Sequence, residues 1–448
     1  MITVAATATT TTLLAIATSF FLLLTPSPTT PKPNHYHTLF ISTSLSSNAS
    51  ISNHLQALTQ RPHIASSQAA NDVLKVFTSS NIPSHMASYH QETYEGDPYA
   101  SVSGEAVPTF HAYAKSGTAV GPVVYVNYGR VEDYLTLREN MGVNVSWCVV
   151  LARYGKIYRG DIVKNAYDEG AVGVVVYSDR KDYGGGGGGR WFPDDKWGQC
   201  IRGLGIQQHQ ASSGGDGDGE CERLTKEEVE KEGDVPLIPS LPVSGADAEK
   251  ILRSIGGAVA QHDWQGSKDA PTYRVGPGPA ILNLTFKGQE NIAAIQNVIG
   301  VIEGAEEPDR YVILGNHRDA WTFGAVDPNS GTAALLEVAQ RFGKLQKQGW
   351  KPRRTIILCN WDAEEYGLIG SKEWVEENRE LLASRAVAYL NADSAVGGAG
   401  FNAMATPQLD ELIKRATQQV TDPDNSSQSL YEAWTSSGTS PLRQVFGV

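Results

Sequence analysis

The chain has 448 residues, enough for two or three domains, with the composition of an ordinary globular protein. Asp and Glu outnumber Lys and Arg by 49 to 37, a formal net charge of −12 that argues against nucleic acid as a partner. Its four cysteines, Cys148, Cys200, Cys221 and Cys359, lack metal or redox spacing, and Cys148 and Cys359 sit in apolar runs as small core hydrophobes.

Residues 1–31 carry no charged side chain, and Leu13–Leu24 is mostly apolar, so a membrane anchor is expected there. A cleaved signal peptide is the competing reading, against which stand the missing basic first segment and the lack of a clear small-x-small site before Pro26. The chain from Thr25 to Asn53 is rich in Ser, Thr and Pro, so residues 32–53 read as a flexible stalk. Leu55–Ala65 and Ala69–Phe77 then predict two helices within a segment spanning 54–87. In the following region, 88–290, Trp147–Arg153 and Val172–Tyr177 are strand-like, with a helical Asp161–Glu169 between them. The six-glycine run Gly184–Gly189 lacks the Lys-Ser/Thr and the strand-to-helix setting of a phosphate loop and reads as surface loop. Ser212–Glu232, rich in Gly, Asp, Glu and Lys, reads as loop or disorder.

Residues 291–448 contain the stretch that carries chemistry, Tyr311–Ser394. Tyr311–Gly315, Thr355–Asn360 and Ala386–Leu390 are short apolar runs that predict buried strands. Between the first two, Leu335, Leu336, Val338, Ala339, Phe342 and Leu345 recur at helical spacing, and Gly349 and Pro352 stop the helix. Ser371–Leu382 offers a second helical crossover, so an α/β fold with parallel strands is predicted. His317, Asp319, Asp327, Glu364, Glu365 and Asp393 all fall just past a strand end, where open α/β sheets bind ligands. One imidazole among carboxylates suits zinc, whereas an all-oxygen cage would suit calcium or magnesium. The plain alternative is helix capping, for which Asp327-Pro328-Asn329-Ser330 is well placed.

The segments GNHRDAWTFGAVDPNSG, RRTIILCNWDAEEYGLIGSKEWVEEN and AYLNADS resemble the catalytic core of the glutamate carboxypeptidase II and transferrin receptor family of zinc peptidases, in a plant-type form. The likeness extends through ARYGKIYRGDIVKNA, GVVVYSD, YRVGPG and NVIG, covering Val123 to Trp434 with gaps. It implies a zinc-peptidase core with a mixed, largely parallel sheet flanked by helices, built from 54–87 and 291–448, and an inserted protease-associated (apical) α+β domain at 88–290. It further implies two zinc ions, His317 and Asp393 on one, Glu365 on the other and Asp327 bridging them, with Glu364 as general base. Asp319 would orient a ring or the base.

Tyr158 and Arg159 match the place where the family holds a substrate's C-terminal glutamate, a task suited to a planar guanidinium; a solvated loop arginine is the alternative. Glu373 and Glu376 match half of the family's calcium site, whose other half is not recognisable between Arg202 and Asp234, so an exposed acidic helix turn stands beside calcium as a reading. The resemblance also implies a single-span anchor with lumenal or extracellular bulk, in the endoplasmic reticulum, another endomembrane or the cell surface. The sequons at Asn48, Asn144, Asn283 and Asn425 permit glycosylation in that orientation.

His317 is the last of ten histidines, so the family's second zinc-binding histidine, its arginine patch and its homodimerisation domain would follow Val448; a truncated form is expected. The implied function is a zinc-dependent carboxypeptidase releasing C-terminal residues, glutamate among them, from small peptides, with activity of the truncated form in question. An aminopeptidase on the same scaffold and a non-catalytic receptor-like or regulatory protein are the alternatives.

Overall fold

The computed structural model describes residues 2–6, 35–45, 48–60, 65, 69–80, 84–94, 111–183, 231, 235–243, 245–288, 290–321, 323–396 and 400–437. It divides into two units: Met1–Gln91, Ala293–Glu364 and Leu368–Val448 form the first, Glu92–Ile292 with Glu365–Gly367 the second. The chain opens with strand β1 (Ile2–Ala6), helices α1 (His35–Leu45), α2 (Asn48–Leu58) and α3 (Ala69–Ser79), and strand β2 (Ser84–Tyr94).

The second unit is built on β3 (Gly117–Tyr125), α4 (Val131–Asn140), β4 (Val149–Arg153), α5 (Arg159–Asp168), β5 (Gly173–Tyr177), β6 (Ser240–Val243), α6 (Gly245–Ser254) and β7 (Ile281–Phe286). Its sheet runs β6-β5-β4-β3-β7, parallel except for the antiparallel edge strand β7. Every residue of β4 and β5 is buried, which is why both sequences are continuous apolar runs rather than alternating ones. The strand predicted from Trp147 begins only at Val149, because Trp147 has a left-handed backbone (φ 62°) and an exposed ring.

The first unit continues with β8 (Glu290–Ile302), β9 (Glu307–His317), α7 (Asn329–Lys347), β10 (Arg354–Trp361), α8 (Ile369–Glu377), α9 (Arg379–Arg385), β11 (Ala386–Asn391), β12 (Phe401–Met404), α10 (Asp410–Gln418) and α11 (Leu430–Ser436). Its strands lie in the order β12-β1-β11-β9-β10-β8-β2, and β11, β9 and β10 are mutually parallel. Side chains alternate between two apolar layers. Val312, Leu314, Ile356, Leu358, Ala388 and Leu390 join the cluster under α7, while Ile313, Ile357, Cys359 and Trp361 join Trp374 on the other face. The central strands are therefore apolar at consecutive positions.

The crossover predicted over Ser371–Leu382 is two short helices, α8 and α9, which meet at Asn378. The stalk expected at 32–53 is also corrected. His35–Leu45 and Asn48–Leu58 are helical, and Phe40 and Ile51 sit in the main core with Val73 and Phe77 of α3. Burial of Phe40 and Ile51 against the core outweighs the Ser and Thr content here. Residues 7–34, covering most of the expected anchor, and 184–230, covering the glycine run, lie outside the described residues. Among the described residues no helix is long and apolar enough to cross a membrane.

Phe342 is the centre of the packing between α7 and the N-terminal helices. Its ring stacks on Trp350 at 5.5 Å and 6° and meets Phe40 at 5.5 Å. Phe342→Ala should lower unfolding stability by about 3–5 kcal/mol in denaturant titration, since a fully buried ring is removed and its neighbours cannot close the gap.

Candidate metal centre

The centre is assembled by the ends of three parallel strands. His317 closes β9 opposite Trp361 of β10, and Asn391 of β11 lies opposite Gly315, so the residues that follow each strand gather at one edge of the sheet. A buried asparagine joins those ends. Asn316 Nδ2 donates to the carbonyls of Ala392 (3.2 Å) and Pro328 (3.4 Å), and its Oδ1 accepts from Asn360 Nδ2 (2.8 Å) and the Thr332 hydroxyl (2.6 Å). One side chain thus ties the end of β9 to β10, to the segment after β11 and to the start of α7. Helix α7 comes this close because residue 331 is glycine: a Cβ there would lie 2.0 Å from the carbonyl oxygens of both Ala392 and Asp393.

Within this frame the side chains converge on one nitrogen. His317 is 4% exposed, and its Nδ1–H donates to the carbonyl of Asp319 at 2.9 Å, which turns Nε2 to the carboxylates, as N–H when the ring is protonated and as an electron-pair donor once that proton is displaced. Nε2 lies 2.9 Å from Asp393 Oδ1, 3.3 Å from Asp327 Oδ1 and 3.8 Å from Glu364 Oε2. Asp319 also accepts the Glu364 backbone N–H at 2.9 Å, so it links the imidazole to the turn that carries Glu364. The capping role open to Asp327 is not taken: α7 begins after Pro328 without a side-chain cap, and the Asp327 carboxylate faces His317.

These groups need a cation. Burial alone would depress the His317 imidazole, but hydrogen bonds to Asp319, Asp327 and Asp393 and the charge of Glu364 outweigh it, so the ring is held protonated well above its ordinary range. Burial pushes the Glu364 carboxyl up to about 7; the facing imidazolium opposes that shift, and the charges of Asp319, Asp393 and Asp327 reinforce it. A metal ion can take the place of that proton. Ligand atoms bound to tetrahedral zinc at ~2.0 Å stand about 3.3 Å apart. Asp327 Oδ1 and Asp393 Oδ1 stand at such distances from Nε2, all three atoms lie within 4.8 Å of one another, and among the described residues these three form the one group able to share an ion. The donor set fits zinc.

The other expected site residues have separate places. Glu365 is buried and is not part of that three-residue group. Tyr158 precedes α5 and Arg159 begins it, with the guanidinium donating to the Tyr154 hydroxyl at 2.8 Å and lying near the Tyr154 and Tyr158 rings. Glu373 and Glu376 are half-buried on α8, and residues 202–230, within the stretch where the other half of a calcium site would fall, lie outside the described residues. Asn316, Thr332, Asn360 and Gly331 were missed in the sequence. The signal for the asparagines was a polar residue at the end of an otherwise apolar buried strand, a position that demands a partner.

Residues 297–440 match Peptidase family M28, and residues 115–251 match the PA domain. The chain is 57% identical to the "Probable glutamate carboxypeptidase LAMP1" of Arabidopsis thaliana, over 94% of this chain and 65% of that protein. It is 46% identical to the "Probable glutamate carboxypeptidase AMP1" of the same plant, over 89% and 58%. With the "Aminopeptidase NAALADL1" of Rattus norvegicus the identity is 39%, over 72% and 45%. The chain thus spans less than two thirds of the length of these relatives.

Zinc must displace the proton held on His317. Calorimetry in buffers of different ionisation enthalpy should show about one proton released per zinc at neutral pH, with affinity falling about tenfold per unit as pH drops below neutrality. Gly331→Ala, which forces α7 away from Asp393, should weaken zinc binding by roughly 10–100-fold in chelator competition.

Proposed function

We propose that this chain, whose residues 297–440 match Peptidase family M28 and 115–251 the PA domain, is a glutamate carboxypeptidase-like, zinc-dependent metallopeptidase releasing C-terminal residues, glutamate among them, from small peptides. The observation that carries this reading is the approach of Asp393, Asp327 and Glu364 to one imidazole nitrogen within 2.9–3.8 Å.

In this proposal His317, Asp327 and Asp393 would hold one zinc, and Glu365 would be the candidate ligand for a second. Zinc, when bound, supplies the Lewis acidity that polarises a peptide carbonyl and acidifies water. Glu364 accepts a proton from the attacking water and returns it to the departing amine. A carboxyl already raised by burial suits this exchange, and neighbouring dications would draw it below its metal-free value, so that it is ionised at neutral pH. Asp319 keeps the His317 ring in the tautomer that offers Nε2 and holds the Glu364 backbone through a second hydrogen bond. Arg159 is the candidate for the substrate's terminal carboxylate, because its guanidinium can offer paired donors.

Similarity to the rat protein named as an aminopeptidase favours a second reading, in which the same centre acts at the amino end of a peptide. Assay of the zinc-loaded chain on acylated dipeptides ending in glutamate and on free-amino dipeptides separates the two. Turnover of the acylated substrates is expected, and turnover confined to the free-amino set would overturn the carboxypeptidase reading. Glu364→Gln should lower kcat by roughly 100- to 10,000-fold while zinc content stays unchanged; undiminished kcat would remove Glu364 from its role.

A further inference from the structure

Between His317 and Glu364 the fold contains a buried ion pair that the chemistry above does not use. Arg318 and Asp362 are each 1% exposed, and Arg318 Nη2 lies 3.1 Å from Asp362 Oδ2. Arg318 follows His317 directly, and its backbone N–H donates to the Trp361 carbonyl at 2.9 Å. Its guanidinium also donates to Asn360 Oδ1 (2.7 Å) and the Gln296 carbonyl (2.6 Å). Asp362 stands two residues before Glu364.

The Asp362 carboxylate has a second task. Its Oδ1 accepts the N–H of Ala363 at 3.0 Å, and its Oδ2 accepts that of Gln296 at 2.9 Å. Ala363 is left-handed (φ 55°), a conformation a residue with a Cβ keeps only when its surroundings impose it. The rest of the turn is fully engaged. The Asp362 N–H donates to Asn297 Oδ1, while the carbonyls of Asp362, Ala363 and Glu364 accept from Gly370, Ile369 and Leu368. Helix α8 reaches this position because residue 370 is glycine: a Cβ there would lie 2.3 Å from the Asp362 carbonyl and 2.4 Å from Asn297 Oδ1.

A buried ion pair contributes little net stability compared with an apolar pair of similar volume, so stability alone does not account for it. It does define geometry. One end is joined to the residue after His317, and the other imposes the left-handed turn that aims Glu364. We infer that the Arg318–Asp362 pair is a positioning device that fixes the Glu364 carboxylate relative to His317. This deepens the proposed function by naming what sets the base, and its kinetic test rests on that reading.

Two variants test it. Asp362→Asn removes the charge that pairs with Arg318 while keeping an oxygen for the Ala363 N–H, and Arg318→Lys keeps the charge but loses the fork that reaches Asp362, Asn360 and Gln296 together. Crystal structures of both should show the Glu364 carboxylate displaced by about 1 Å or more, or disordered, from its native 3.8 Å separation from His317 Nε2. Zinc affinity should stay within about twofold of native, and kcat on an acylated glutamate dipeptide should fall about tenfold with KM unchanged. A native Glu364 position in Asp362→Asn overturns the inference, as does undiminished kcat in that variant. If Arg318→Lys does not fold, Asp362→Asn decides alone. If the native chain hydrolyses no peptide, the peptidase reading fails, while the crystallographic comparison still decides whether the pair positions Glu364.

Discussion

The structure of this centre depends on charge balance. Carboxylates from three chain segments are drawn around one buried imidazole, and no arrangement of those groups is at ease without a positive charge among them. In the metal-free protein a proton on His317 supplies it. A dication supplies it better, because it neutralises more charge and accepts electron pairs from several ligands at once. The same crowding gives Glu364 a carboxyl able to exchange a proton near neutral pH.

The fold bears the cost of this crowding through its backbone and its uncharged polar groups. Asn316 donates to carbonyls from two segments and accepts from a third, and in doing so holds strand ends and a helix start in register. Glycines at 331, 343 and 370 mark places where a helix approaches another backbone more closely than a side chain permits. Interaction energy from the apolar layers on both faces of the sheet keeps these strained and polar features in place.

Much of this was legible in the sequence because the central strands are buried on both faces and so read as unbroken apolar runs. Parallel pairing then follows from the helical segment between β9 and β10, and the common edge for His317, Glu364 and Asp393 follows from parallel pairing. The hub at Asn316 was not legible, since a single asparagine carries no periodicity and its four partners are scattered over 76 residues of separation or less. The N-terminal helices were obscured for a different reason. Serine and threonine in α1 and α2 suggest a solvated linker, and only packing against α7 shows which of their positions are apolar contacts. Left-handed Ala363 was equally hidden, because nothing in the residue itself announces that conformation.

The position of a bound metal is the decisive observable. Anomalous diffraction recorded on both sides of the zinc absorption edge, from crystals of the zinc-loaded chain, should place a zinc peak at ~2.0–2.2 Å from His317 Nε2 and from carboxylate oxygens of Asp327 and Asp393. A map with no peak at that position, or with zinc held elsewhere while His317 remains hydrogen-bonded to Asp393, would contradict it.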